Sequence, residues 1–223
     1  MVDGSGGSDG AMFAQALSAL KERGSNLLVV GGANREVHLR ACDRLLGEDD
    51  TQPRRRVFVR TDGTACCDPE AHGGSAARKR VVDHAATTRS AAAQAAPASR
   101  PVDAGGDSDP GELASSIRSA IGELEPGGGY DPAELRVCFD SLLPLLSDHD
   151  EETVFRMLNL VTSEVRSASG MAHFHLPVAA SDHAVVLLEP MFDAVISVRM
   201  RDGTPQHNWR LVEREIESGW LPL

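Results

Sequence analysis

The chain has 223 residues, 41% of them hydrophobic but only 4% aromatic, and a formal net charge of -11. That size suits one α/β domain whose core is packed mainly by small aliphatic side chains. The acidic balance argues against a nucleic-acid surface, which needs a basic patch to neutralise phosphates.

Of the 22 basic residues only Lys21 and Lys79 are lysines. An acidic, lysine-poor, alanine- and arginine-rich chain fits a protein adapted to molar salt, where the Debye length falls to about 3 Å and dense surface carboxylates repel one another little. The basic clusters Arg54-Arg55-Arg56 and Arg78-Lys79-Arg80 each precede an apolar run and read as charges flanking strand entries. No apolar run approaches the roughly 18 residues of a membrane span. The opening MVDGSGGSDG lacks the basic and apolar regions of a signal peptide. A cytoplasmic protein with no membrane partner is expected.

Residues 1–10 read as a disordered Gly/Ser/Asp tail and 11–223 as a single domain. A helix is expected over 11–23, with Phe13, Leu17 and Leu20 on one face and Gly24 as its C-cap. A buried strand over 26–31 follows, then a glycine turn. Asn34 can cap the next helix, where Leu39, Cys42, Leu45 and Leu46 recur at helical spacing. A second strand, RVFVR, covers 56–60, and KRVVDH at 79–84 reads as a further short one. Residues 62–77 read as an irregular loop and 85–110 as a mobile insertion or a weakly held helix, since the Ala/Ser/Pro/Gly/Asp composition of 85–110 buries too little to offset its ordering entropy. Together 62–110 is expected to be a long, flexible and partly irregular insertion.

Beyond it, helices are expected over 110–123, 150–166 and 183–190, and strands over 135–139, 171–176, 193–200 and 207–213. Asp148 or Asp150 should cap the helix over 150–166. The last two strands are joined by Arg201-Asp202-Gly203-Thr204, a hairpin signal. Strands alternating with helices argue for a mainly parallel sheet covered on both faces. The terminal Trp220-Leu221-Pro222-Leu223 is expected to fold back through Trp220, the alternative being an exposed apolar segment that docks a partner.

Residues 27–46, LLVVGGANREVHLRACDRLL, have the strand–turn–helix layout that holds a phosphate-binding loop. Such a loop needs G-x-x-x-x-G-K-[ST]. Counted from Gly31, the last three positions hold Glu36, Val37 and His38. Val37 can supply no charge or hydrogen bond, Glu36 repels phosphate, and His38 is a poor substitute for a hydroxyl.

The stretches GSNLLVVGG, RVFVR and LRVCFDSL, in that order, resemble the RecA/KaiC branch of P-loop ATPases. LRVCFDSL is similar to a Walker B strand, ending in Asp140 and Ser141. The resemblance covers roughly 11–215 and implies a three-layer RecA-like domain. GMAHFHLP, MFDAV and WLPL narrow it to a haloarchaeal family of degenerate RecA/KaiC-like proteins. The relic nucleotide pocket that it implies comprises Gly31, Gly32, Asn34, Arg35, His38, Asp140, Ser141 and His175. The family's catalytic glutamate has no match, since Arg60-Thr61-Asp62 stands there.

No catalytic residue is therefore expected, and no cofactor beyond ATP and Mg²⁺ in the alternative that the relic still binds. Asp140 either orients Mg²⁺ or caps a turn with Ser141; with no lysine or hydroxyl opposite, the turn is preferred. The start of the helix either binds an anion or is satisfied by Glu36.

His173 and His175 share one strand face. His149, His183 or His207 could complete a metal set, but no ligand spacing supports one. No metal is expected, and Cys42 and Cys138 read as small core residues. The implied function is a non-catalytic regulatory or scaffolding protein acting through protein–protein contacts, with a homo-oligomer as one expected form. The alternative is a divergent nucleotide-binding switch or weak ATPase using Arg35, His38 and Asp140. A switch needs an open space between the Gly31 turn and Asp140, whereas a scaffold can fill it.

Overall fold

The computed structural model describes residues 6–32, 35–48, 52–61, 69–70, 75–84, 109–214 and 216–223. In chain order the first elements are α1 (Gly6–Arg23), β1 (Ser25–Val30), α2 (Arg35–Leu46), β2 (Arg55–Arg60) and β3 (Lys79–Asp83). They are followed by α3 (Pro110–Leu124), β4 (Leu135–Phe139), α4 (Leu143–Asp148), α5 (Glu151–Ser167), β5 (Met171–Leu176) and α6 (His183–Leu188). The chain closes with β6 (Ala194–Arg201), β7 (Thr204–Leu211), β8 (Ile216–Glu217) and β9 (Leu221–Pro222). Helix α1 begins at Gly6, inside the segment expected as a tail. Once the face carrying Ala16 and Leu20 is docked, adding turns to an existing helix costs little. Of the expected insertion, 62–68, 71–74 and 85–108 lie outside the described residues.

The described strands form one sheet in the order β3-β2-β4-β5-β1-β6-β7-β8, with β9 also paired to β7. From β3 to β6 every pairing is parallel. β7 returns antiparallel through Asp202 (φ 50°) and Gly203 (φ 74°). A two-residue turn with positive φ at both positions suits Asp-Gly and matches the twist of the flanking strands. The architecture is thus α/β, with a mainly parallel sheet and a C-terminal hairpin. The chain end does fold back: β9 pairs with β7, and the Arg199 guanidinium lies 3.7 Å from the Trp220 ring centroid.

Alternation along the strands divides the core. Leu28, Val30, Val59, Val137, Phe139, Ala172 and Phe174 pack with α3, α5 and α6. Leu27, Val29, Met171 and Ile196 pack with α1 and α2 on the other face. Local chemistry starts the helices where they are needed. Asp109 accepts from Gly111 N ahead of Pro110 to open α3. Asp150, not Asp148, caps α5 by accepting from Thr153 N, and Glu151 and Glu152 sit at its positive end.

Phe174 is fully buried between Phe139 and Phe192, at ring-centroid distances of 5.4 and 5.3 Å. Phe174→Ala should lower the urea-unfolding free energy by about 3–5 kcal/mol. Leu160→Ala, on the exposed side of α5, should stay within about 0.5 kcal/mol.

Candidate functional site

Gly31, at the start of the turn between β1 and α2, is tied to the protein's own groups. Gly31 N donates to Val178 O at 2.8 Å. Gly31 has φ 150°, and a Cβ on it would lie 2.3 Å from Val198 O. The glycine is therefore required by close approach to β6, not by a ligand. Gly32 and Arg35 are exposed at the mouth, and Asn34 lies outside the described residues. Glu36 is exposed and pairs with Arg40 one turn on at 3.4 Å, while Val37 is fully buried.

His38 turns inward. Its Nε2 lies 2.9 Å from Gly31 O and its Nδ1 lies 3.0 Å from His175 Nδ1. Burial lowers the pKa of His38, the Gly31 hydrogen bond opposing it more weakly. Burial, with smaller contributions from His173 and His38, holds His175 well below its ordinary value. Both rings are neutral at ordinary pH.

Asp140 and Ser141 serve the neighbouring strand ends. Asp140 Oδ1 accepts from Thr61 N at 2.8 Å, and the Thr61 hydroxyl lies 2.8 Å from the same oxygen and 2.5 Å from Ser141 O. Ser141 Oγ accepts from Leu143 N at the start of α4. Leu142 N donates to His175 O, tying the end of β4 to β5.

Beneath α2 the sheet is polar. Met171, His173 and His175 alternate toward the helix. Cys138 on β4 stands in register with His173 on β5. Cys42 on α2, one turn from His38, reaches both: its Sγ is 3.4 Å from Cys138 Sγ and 3.3 Å from His173 Nε2. Donor atoms of Cys42, Cys138, His173 and His175 all lie within 4.8 Å of one another.

The structure therefore brings Gly31, His38 and His175 together, holds Asp140 and Ser141 against Thr61, and leaves Gly32 and Arg35 outside. His149, His183 and His207, the residues considered as completing a set with His173 and His175, are not in this cluster; the two cysteines are. The i, i+4 spacing of His38 and Cys42 was visible in the sequence, but the register of Cys138 beside His173 was not.

A family model matches residues 24–198. The chain belongs to the family of unknown function DUF7504. The matched span runs from the start of β1 into β6 and includes every residue of the cluster. No curated protein matches the chain. No helix among the described residues is long and apolar enough to cross a membrane.

At the opposite, amino-terminal end of the strands lies a cavity of about 330 Å³ whose lining, among the described residues, includes Lys21, Arg44, Arg54, Arg136 and His207 and no carboxylate. Trp209 Nε1 donates to His207 Nδ1 at 2.9 Å. Burial and then Arg44 push the His207 pKa down to about 4. Because this folded value is below the ordinary 6.5, the unfolded chain binds the proton first as pH falls. The stability that His207 contributes is present above pH 6.5 and is lost on descent toward about 4. His207→Gln should flatten that part of the stability–pH curve, read as the difference between the two proteins' urea midpoints.

Gly31→Ala should cost about 2 kcal/mol or more, because it meets both a backbone oxygen and an unfavourable φ. Gly32→Ala, whose Cβ would meet only Ala179 N at 4.0 Å among the described residues, should be tolerated in the same thermal unfolding series.

Proposed function

We propose that this DUF7504 chain is a non-catalytic RecA/KaiC-like protein that serves as a regulatory or scaffolding module through protein–protein contacts. One observation carries the proposal: the buried His38 ring spends its two nitrogens on Gly31 O, at the start of the β1–α2 turn, and on His175. A nucleotide switch would keep an open space beside this turn, whereas here the buried His38 ring meets His175 of β5.

The residues present do not fit Mg²⁺-nucleotide. A phosphate cradle needs free backbone N–H groups, a lysine and a hydroxyl. Gly31 N is already used by Val178 O, Val37 at the lysine position is buried in the core, and His38 replaces the hydroxyl. Asp140 Oδ1, at the metal-orienting position, is held by Thr61. The acidic, lysine-poor composition supports work in concentrated salt, in keeping with a haloarchaeal relative of that group.

Calorimetric titration with MgATP and MgADP, in concentrated KCl and in dilute buffer, should be silent up to millimolar nucleotide. Micromolar binding that Asp140→Ala removes would instead establish the switch built on Arg35, His38 and Asp140.

A further inference from the structure

We propose that Cys42, Cys138, His173 and His175 form a closed, four-coordinate zinc site between α2 and the sheet. A tetrahedral ion with Zn–S near 2.3 Å and Zn–N near 2.0–2.1 Å holds its ligand atoms about 3.3–3.8 Å apart. The two sulfurs are 3.4 Å apart, and His173 Nε2 is 3.3 Å from Cys42 Sγ. The fourth donor falls within 4.8 Å of the rest, and no ligand side chain is more than 2% exposed. Side-chain adjustments of a few tenths of an ångström to about 1 Å would centre an ion among them.

The hydrogen-bond chain from the turn points the same way. Gly31 O can only accept, so His38 Nε2 carries the hydrogen. The Nδ1 of neutral His38 is then an acceptor, and His175 Nδ1 must donate to it across 3.0 Å. That leaves His175 Nε2 as a lone pair, buried and without a hydrogen-bond partner. A buried polar atom left so is costly unless something takes up the lone pair, and a metal ion does. His38 then acts as metal-bound histidines require: a protein group fixes the tautomer through the other ring nitrogen.

The donor chemistry selects the ion. Two thiolates and two imidazoles suit zinc, whereas Mg²⁺ and Ca²⁺ take oxygen ligands. Two thiolates and one Zn²⁺ sum to zero charge, so the dry interior holds no unbalanced ion. With four protein ligands and no open position the site is structural: it staples α2 to β4 and β5. The inference does not rest on the proposed function, because metal content and nucleotide binding are read separately.

Elemental analysis of the chain purified without chelator should find about one zinc per chain, and chelation under reducing conditions should release it. Exchange for Co²⁺ should give the visible bands of a tetrahedral ion and a thiolate charge-transfer band. Cys138→Ser should abolish both signals, while His149→Gln and His183→Gln keep them. His38→Ala, which removes only the support of His175, should weaken metal affinity about 10–100-fold. If Cys138→Ser does not fold, the cobalt spectrum of the unaltered chain decides. The site is overturned by a reduced chain that takes up neither ion, by a Cys42–Cys138 disulfide that excludes metal, or by zinc that survives both Cys42→Ser and Cys138→Ser.

Discussion

A polar layer sealed from water between α2 and the sheet governs where that helix can lie. On this face β2, β4 and β5 present Arg56, Arg136, His173 and His175, each no more than 6% exposed. A buried donor or acceptor left unmade costs about 1–3 kcal/mol, so the helix has to supply partners. It does so at both ends. Arg136 donates to Leu45 O and Arg56 to Gly47 O, where the helix dipole is negative. At the other end His38 links Gly31 O to His175. Between these anchors Cys42 and Leu46 pack on Phe58 and Cys138, and Val37, Ala41 and Leu45 pack on the neighbouring apolar strip.

That arrangement commits the Gly31 end of the β1–α2 turn to the protein's own groups. A loop that binds an anion keeps its N–H groups unsatisfied until the ligand arrives. Here Gly31 N already has a partner and the position below is occupied by imidazole. The same occupation creates the cysteine–histidine cluster, because a ring directed down from α2 orients His175 toward the two sulfurs.

The arginines follow the same logic. Arg54-Arg55-Arg56 are charges at a strand entry, but their heads turn to backbone and to acid. Arg54 reaches Ala133 O, and Arg55 pairs with Glu134 at 2.7 Å and donates to Leu124 O. Burial, with Arg54 and Arg56 nearby, lowers the Arg136 pKa to about 9, still above neutral pH. A planar guanidinium with five donors can hold several carbonyls at once, which an ammonium group cannot do with the same geometry. The chain's preference for arginine over lysine thus has a use inside the fold.

The elements were legible in the sequence because their signals are local. Leu113, Ile117, Ile121 and Leu124 recur at helical spacing, Asp150 and its acidic first turn open α5, and Asp202-Gly203 makes the hairpin. That Glu36, Val37 and His38 stand where a phosphate-binding loop would need Gly, Lys and Ser or Thr could be read off as well. Helix α4, the use of Asp140 by Thr61, and above all the cluster of Cys42 and Cys138 with His173 and His175 could not. Cys42 and Cys138 are 96 residues apart, and each alone looks like a small core side chain. Only the parallel pairing that places Cys138 beside His173, with α2 docked above, makes them ligands in common. Periodicity and capping act over a few residues and so are written in the sequence; register between strands distant in the chain is a property of the assembled sheet, and the tertiary structure alone decides it.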